Sequence, residues 1–413
     1  MTDPNEHTNP YAPKNTPDLQ PDTDHDGNPA AGHPNPYAPA GTGPGELPST
    51  TPPQSTKSRS TTTTPTSAGS IATDDYLGND SLEHISLAEE SPLLKTRREL
   101  KELRHAAEQV REEIAKVVVG QREFIDLLIA SLLAGGHVLV EGVPGIAKTL
   151  TARLLAKTVA ADYSRIQFTP DLMPSDVTGT TVFNMGSSKF EFTKGPVFSN
   201  IVLIDEINRA PAKTQAALFE VMAEQQITVD GDTFELEAPF FVIATQNPIE
   251  QEGTYRLPEA QLDRFLVRAI IDYPSLEQEQ QILHRFRSDF SQRRQEEVRP
   301  VFTRELVAKY TALIERVTIH DSLLNYIAAI VHRTRTHPDL YLGASPRASL
   351  GILRLSKAVA ALDGRDYVTP DDIQQVAYPV LNHRIILTPE REMEGLGSRE
   401  VVTEIVRSIE VPR

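Results

Sequence analysis

Large apolar residues are few and unpatterned over residues 1–90, and from Ser91 onward they fall into periodic runs. Leu93, Leu94, Leu100, Leu103, Ala107, Val110 and Ile114 recur at helical spacing and give one apolar face out to about Ala115. Ser91 before Pro92 suits an N-cap followed by a first-turn proline. After Gly120 a second helix is predicted through Phe124, Leu127, Leu128 and Leu132, ending at Gly135-Gly136. Between Val138 and about Tyr273, short apolar strands alternate with helical patterns, the signature of a parallel sheet covered on both faces. From Ser275 the spacing turns helical, with helices predicted over 276–286, 304–317, 322–334, 346–362, 371–378 and 398–409. Ser275, Thr303, Asp321, Ser345 and Thr369 are placed as their N-caps or pre-helix residues. The predicted organisation is a tail over 1–90, an α/β unit over 91–274 and an all-α region over 275–413.

Composition separates the tail from the rest. Fourteen of the 31 prolines lie in it, with a Thr/Ser tract from Ser49 to Ser70 and an excess of Asp and Glu. Such a segment buries too little apolar surface to offset its ordering entropy, so disorder is expected. One heptapeptide recurs, as His7 to Pro13 and His33 to Pro39, and each copy carries Asn-Pro-Tyr-Ala-Pro. These patches suit an aromatic-lined partner, and drift in a low-complexity tail accounts for them equally well. The net formal charge of −16 argues against unaided binding to nucleic acid or anionic lipid. Cysteine is absent, which removes disulfides and thiolate metal sites and makes a cytosolic address the default. The first residues lack the pattern of a signal peptide, and no apolar run is long enough for a membrane span, so a soluble protein is expected.

The candidate chemistry begins where the first strand ends. His137-Val-Leu-Val-Glu runs into Gly142-Val143-Pro144-Gly145-Ile146-Ala147, then Lys148-Thr149 at the mouth of a helix. A glycine-bearing turn that aims backbone N–H groups inward, backed by a helix N-terminus, makes a site for nucleotide phosphates. Lys148 would reach the β- and γ-phosphates of ATP, and Thr149 would hold Mg²⁺ through its hydroxyl. Ala147 stands where such loops usually carry glycine; a methyl is compatible there with a turn that enters the right-handed helical region.

A buried strand, Asn200-Ile-Val-Leu-Ile, ends in Asp205-Glu206. Adjacent side chains at a strand end point differently, so Asp205 is taken as the Mg²⁺ ligand and Glu206 as the general base. A third apolar strand ends in Gln246-Asn247-Pro248, and Asn247 would sense the γ-phosphate or position the attacking water. Arg264, after Glu259-Ala-Gln-Leu-Asp263, suits an arginine finger, and a surface salt bridge with Asp263 or Glu259 fits it as well. Arg347 lies in the first turn of a helix, where the dipole opposes a cation, so a local reason for it is expected.

The order and wording of these segments resemble the AAA+ ATPases, and specifically the MoxR family. The stretches that carry the likeness are Val118-Val-Gly120-Gln121, Glu141-Gly-Val-Pro-Gly145, Gln167-Phe-Thr-Pro170 through Asp176, Gly195-Pro-Val-Phe198, Leu203 through Pro211, Ala244 through Pro248, and Gly343-Ala-Ser-Pro-Arg347. The resemblance covers about Ser91 to the end of the chain and implies a P-loop ATPase core, a helical lid and ring oligomers, usually hexamers. By the same resemblance, Lys148 and Thr149 match Walker A, and Asp205 and Glu206 match Walker B. Asn247 matches the first sensor, Arg264 the finger, Arg347 the second sensor, and Val118 to Gly120 the segment that packs on adenine. Two insertions, 182–192 around Gly186-Ser187 and 227–236 around Asp230-Gly231, read as hairpins of the kind that project from the ring face or pore. The family implies an ATP-driven chaperone acting on a protein client, with a von Willebrand A domain protein as an expected partner. A nucleic-acid motor and a slow nucleotide-switched scaffold are the alternatives; acidity and the lack of basic runs disfavour the motor.

Overall fold

The computed structural model describes residues 92–247, 255–287 and 293–412. The tail with its repeats, the Ser91 cap and Pro248 lie outside the described residues. In chain order the longer strands are β1 (Val138–Gly142), β2 (Tyr163–Gln167), β3 (Gly179–Asn184), β4 (Lys189–Lys194), β5 (Ile201–Asp205), β6 (Gln226–Val229), β7 (Asp232–Glu235), β8 (Phe241–Gln246) and β9 (Val267–Ile271). The longer helices are α1 (Pro92–Ala115), α2 (Arg122–Leu133), α3 (Lys148–Thr158), α4 (Ala212–Glu224), α5 (Leu276–Phe286), α6 (Arg304–Glu315), α7 (Asp321–Thr334), α8 (Pro346–Leu362), α9 (Pro370–Leu381) and α10 (Ser398–Ser408).

Five strands make the central sheet in the order β9-β1-β8-β5-β2, and every neighbouring pair is parallel. Strand periodicity divides their side chains between two cores. Val138, Val140, Ile201, Leu203, Phe241 and Ile243 face one cluster, with α1, α2, α3 and the helices beyond residue 300. Leu139, Val202, Ile204, Val242 and Ala244 face the other, with Leu218, Phe219 and Met222 of α4. The expected sheet covered on both faces is therefore present, and one of its cores runs without a break into the C-terminal helices. A central parallel sheet covered on both faces, followed by a helical region, is the fold, as the resemblance implies for an ATPase core and its lid.

The lid is helical apart from short pairings: Leu340–Leu342 lies antiparallel to Ile386–Leu387, and Phe302–Thr303 runs beside Val159–Ala160. Ser275 and Thr369 form capping boxes with Gln278 and Asp372, and Thr303 and Ser345 accept from Leu306 and Arg347 N–H. Asp321 is instead the first helical residue of α7: the ring of His320 takes the Ser322 N–H and leaves the aspartate to complement the helix dipole. Both hairpins are present and run longer than expected on the first. β3 and β4 pair from Gly179↔Lys194 to Asn184↔Lys189, with Asn184 Oδ1 accepting from Gly186 and Ser187 N–H in the turn. β6 and β7 close through Asp230 and Gly231, both at positive φ, as a two-residue primed turn requires.

The lid docks on the core through Asn382-His383-Arg384. Arg384 Nε donates to Asp263 Oδ1 (2.7 Å), and its two Nη atoms reach the carbonyls of Asp263, Phe265 and Leu266. Its side chain is 3% exposed. His383 Nε2 donates to the Phe265 carbonyl (3.1 Å), and Asn382 Nδ2 to that of Arg268 (3.0 Å).

Two local features depart from ordinary chain geometry or chemistry, and each carries a prediction. Ala147 adopts φ 62° and ψ 23°, a left-handed conformation, which overturns the expectation of a right-handed entry into α3. A Cβ at that position costs about 1–2 kcal/mol, and glycine gives back part of it as chain entropy. Ala147→Gly is therefore expected to stabilise the protein by about 1 kcal/mol, read as a higher Tm without nucleotide; an unchanged or lower Tm would contradict the assigned strain. His137, next to β1, is fully enclosed: Nδ1 accepts the Val242 N–H (3.1 Å) and Nε2 donates to the Met222 carbonyl (3.3 Å). Burial pushes its pKa down to about 4, opposed by the bond to Met222. The unfolded chain, with an ordinary histidine near 6.5, takes up the proton first as pH falls, so this stabilisation is complete above about 6.5 and is lost toward 4. Lowering pH from 6.5 to 5 should remove about 2 kcal/mol through this residue. Melting curves across that range should show a steeper decline for the native chain than for His137→Asn.

Candidate nucleotide site

Two glycines shape the end of β1 and the turn after it, Gly142 by close contact and Gly145 by its backbone conformation. A Cβ on Gly142 would lie 2.6 Å from the Ile271 carbonyl and 2.7 Å from Ile146 Cδ1, and Gly145 holds φ +85°. The loop is also clamped from outside. Gln121 Nε2 donates to the Ile146 carbonyl (2.6 Å), and its Oε1 accepts from Thr151 Oγ1 on α3 (3.2 Å). Gln121 itself has φ 57°, a second non-glycine residue in the left-handed region. Its place in the Val-Val-Gly-Gln stretch was its only sequence signal, and no role followed from that.

Two clefts meet at this loop. One, of about 550 Å³, is lined by Gly145, Lys148, Thr149, Asp205, Glu206 and Asn247. The other, of about 930 Å³, is bounded by Val118, Gly120, Ile146, Ile271, Tyr273 and Ile282, and shares Pro144, Gly145, Ala147 and Leu150 with the first. The first is rich in charged and hydrogen-bonding groups and the second in apolar side chains, as phosphates and a base would require. Val143 packs against the sheet-face core and lines neither cleft, and Gly142 contributes its carbonyl as an acceptor for Lys148 Nζ.

The polar cleft is built from the carboxyl ends of three strands and the start of α3. Lys148 Nζ also donates to the Gln246 carbonyl (3.3 Å), tying the loop to the end of β8. Thr149 Oγ1 donates to Asp205 Oδ1 (2.9 Å), and Thr245 Oγ1 approaches the same oxygen at 3.3 Å. Arg165 Nε donates to Asp205 Oδ2 (2.6 Å), and that bond raises the guanidinium pKa above its ordinary value. Glu206 sits at φ 58° and ψ 53°, and its N–H donates to Thr245 Oγ1 (3.0 Å). A left-handed glutamate at a strand end costs about 1–2 kcal/mol and turns the side chain away from the sheet. Its Oε2 accepts from Gln167 Nε2 (3.0 Å) and pairs with Arg209 Nε (2.9 Å). Asn247, 8% exposed, completes the rim.

Thr149 and Asp205 offer hard oxygen donors side by side, the set that suits Mg²⁺ beside a phosphate. Lys148 and the loop's N–H groups suit the phosphates. The residues present therefore fit an ATP–Mg²⁺ complex.

Arg264 and Arg347 do not line this cleft. Arg264 Nη1 donates to the Phe219 carbonyl at 2.8 Å, so neither carboxylate of the salt bridge weighed for it is its hydrogen-bond partner. Arg347, 59% exposed, lies 3.6 Å from Asp263 Oδ2, which also accepts from Ser345 Oγ (2.9 Å). Asp263 is the local reason for a cation in the first turn of α8. Both arginines thus gather at the segment held by Arg384, and neither lines the cleft that holds Asp205 and Glu206. Arg165 and Gln167 were not anticipated. They occupy alternate positions of β2, and only the pairing of β2 with β5 brings them to Asp205 and Glu206.

Among the described residues, no helix is long and apolar enough to cross a membrane. Residues 137–267 match the model of the ATPase family associated with various cellular activities, and residues 332–405 match the AAA lid domain. A Bacillus subtilis protein named YeaC, itself described as uncharacterized, is 48% identical over 73% of this chain and 93% of its own length. Chaperone MoxR1 of Mycobacterium tuberculosis is 40% identical over 75% of this chain and 83% of its own. The crystal structure of a candidate ATPase from Cytophaga hutchinsonii superposes with a TM-score of 0.72 at 44% identity, over 78% of this chain and 99% of that one. The chain belongs to the MoxR family of AAA+ ATPases.

Proposed function

We propose that the protein hydrolyses ATP as a MoxR-type chaperone, assembled as a ring and acting on a protein client. Residues 91–274 form the ATPase core and 275–413 the lid, with residues 1–90 as a tail that recruits partners in the cytoplasm. The observation that carries this reading is the split between two sets of groups. Lys148, Thr149, Asp205, Glu206 and Asn247 surround one cleft, while Arg264 and Arg347 stand together outside it at Asp263.

In the chemistry this supports, the loop from Gly142 to Thr149 and the α3 N-terminus hold the phosphates. Thr149 and Asp205 would hold Mg²⁺, which would supply neutralisation of phosphate charge. Val118 and Gly120 line the apolar cleft that receives the base. Glu206 takes the proton from the attacking water, and Asn247 positions that water against the γ-phosphate. Arg264 and Arg347 serve a neighbouring subunit's phosphates, because a guanidinium contributes most where charge develops and their own cleft lies elsewhere. Turnover therefore requires assembly. The client is a protein, with a von Willebrand A domain protein as the first candidate; the net charge of −16 disfavours nucleic acid.

Glu206→Gln should retain ATP binding and lower turnover by about 100-fold or more, measured as phosphate release beside nucleotide affinity. Unchanged turnover would remove Glu206 as the base. Arg264→Ala and Arg347→Ala should each be inactive alone. Mixed with Lys148→Ala subunits, whose arginines are intact, they should regain part of the activity. No recovery, or a particle that stays monomeric with ATP at micromolar concentration, would sink the shared site. Pull-down with the Glu206→Gln chain, with and without residues 1–90, identifies the client and tests the tail.

A further inference from the structure

Every oxygen of Asp205 already has a protein donor. Oδ1 takes the hydroxyls of Thr149 and Thr245, and Oδ2 takes Arg165 Nε at 2.6 Å. The aspartate side chain is 6% exposed and the Arg165 side chain 55% exposed. An enclosed carboxylate is costly unless paired, and a guanidinium does not lose its proton, so the pair can be opened only by moving the arginine. Arg165 has the freedom to move. It projects from β2, an edge strand of the sheet, and lines the cleft from its open side.

We infer that Arg165 is the resident counter-cation of Asp205, that Mg²⁺ arriving with the nucleotide competes with it for this carboxylate, and that this residue thereby sets the Mg²⁺ concentration at which the site loads. The inference rests on the proposed role of Asp205 as a Mg²⁺ ligand. Mg²⁺ on the Thr149 side of the carboxylate and a guanidinium on Oδ2 repel one another and draw on the same negative charge, so entry of one loosens the other. The displaced guanidinium remains in a cleft suited to phosphate oxygens, its natural bidentate acceptors. Arg165 thus opposes metal in the absence of nucleotide and loses little when both arrive together. Free Mg²⁺ is discriminated against and the Mg²⁺–nucleotide complex is favoured. Arg165 acts here through Asp205, as a positioning residue.

The test uses the full chain and two readouts that do not require turnover. The first is the Mg²⁺ concentration that half-saturates binding of a fluorescent ADP analogue. The second is the Tm of nucleotide-free protein in EDTA and with Mg²⁺ alone. Arg165→Gln should lower the half-saturating Mg²⁺ by roughly three- to five-fold, the range of a partly exposed ion pair. It should also lower the Tm in EDTA and let Mg²⁺ alone restore it. Arg165→Lys should keep the native Mg²⁺ dependence. A requirement for Mg²⁺ that is unchanged or higher in Arg165→Gln overturns the inference. Asp205→Asn separates the two claims. If it raises the Mg²⁺ requirement while Arg165→Gln does not lower it, only the counter-cation role falls. If it leaves the requirement unchanged, the metal-ligand reading of Asp205 falls, and the inference with it.

Discussion

The guanidinium of Arg384, sealed inside the molecule, is what the arrangement of lid and core depends on. It carries a full charge in the interior, where burial pulls its pKa down, and Asp263 offsets that cost. Besides that of Val380 in α9, the backbone carbonyls of Asp263, Phe265 and Leu266 accept from its remaining donors. Removing either member of such a pair typically costs about 3–5 kcal/mol, because the other is left charged and buried. The geometry matters as much as the energy. These acceptors flank Arg264 on both sides, and Asp263 also receives Ser345 and faces Arg347 at the start of α8. The lid therefore cannot shift against this segment without breaking a buried ion pair, and Arg264, Arg347 and the lid's Asn382-His383-Arg384 are held together.

Much of this architecture can be read from the chain once its periodicities are followed. Strands such as Ile201–Asp205 announce themselves because both faces of the sheet are buried, so the apolar run is continuous. Lid helices begin near their expected limits because Ser275, Thr303, Ser345 and Thr369 cap them through bonds that are local in sequence. Lys148, Thr149, Asp205, Glu206 and Asn247 of the polar cleft were legible for the same reason: each sits at or beside a strand end or helix start. Contacts set by long-range pairing were not. Arg165 and Gln167 reach Asp205 and Glu206 only because β2 lies beside β5 and away from β1. Arg384 meets a segment about 120 residues earlier, a distance that no local pattern encodes. Ala147 misled for a different reason, since an alanine carries no local sign of the left-handed turn that the loop imposes on it.

Three of the six non-glycine residues at positive φ among the described residues lie where the phosphates would sit. Gln121, Ala147 and Glu206 are non-glycine residues held at positive φ, and they bracket the loop, the start of α3 and the end of β5. Each is held by bonds to other parts of the site. Gln121 grips Ile146 and Thr151, Glu206 leans on Thr245 through its N–H, and α3 packs Ala152, Leu154 and Leu155 into the sheet-face core. The surrounding packing over-determines these conformations, which is how strained backbone persists at a working site. A loop fixed in this way presents its N–H groups without reorganising, and preorganised donors contribute most to binding phosphate and to stabilising charge as it develops.

These two constraints meet in how hydrolysis would be controlled. The phosphate side is rigid and its charges are already balanced within the subunit, Asp205 by Arg165 and Glu206 by Arg209. The arginine side rides on the lid through Arg384. In the proposed ring, a cleft whose charges are balanced alone and which faces a neighbour's arginines would give a reaction that responds to the fit between subunits more than to nucleotide occupancy. Anything that moves the segment shared by lid and core would then change catalysis in the adjacent site through Arg264 and Arg347 together. That would be the coupling the proposed chaperone needs for work on a client, with force on the lid or the hairpins passed around the ring as a change in turnover.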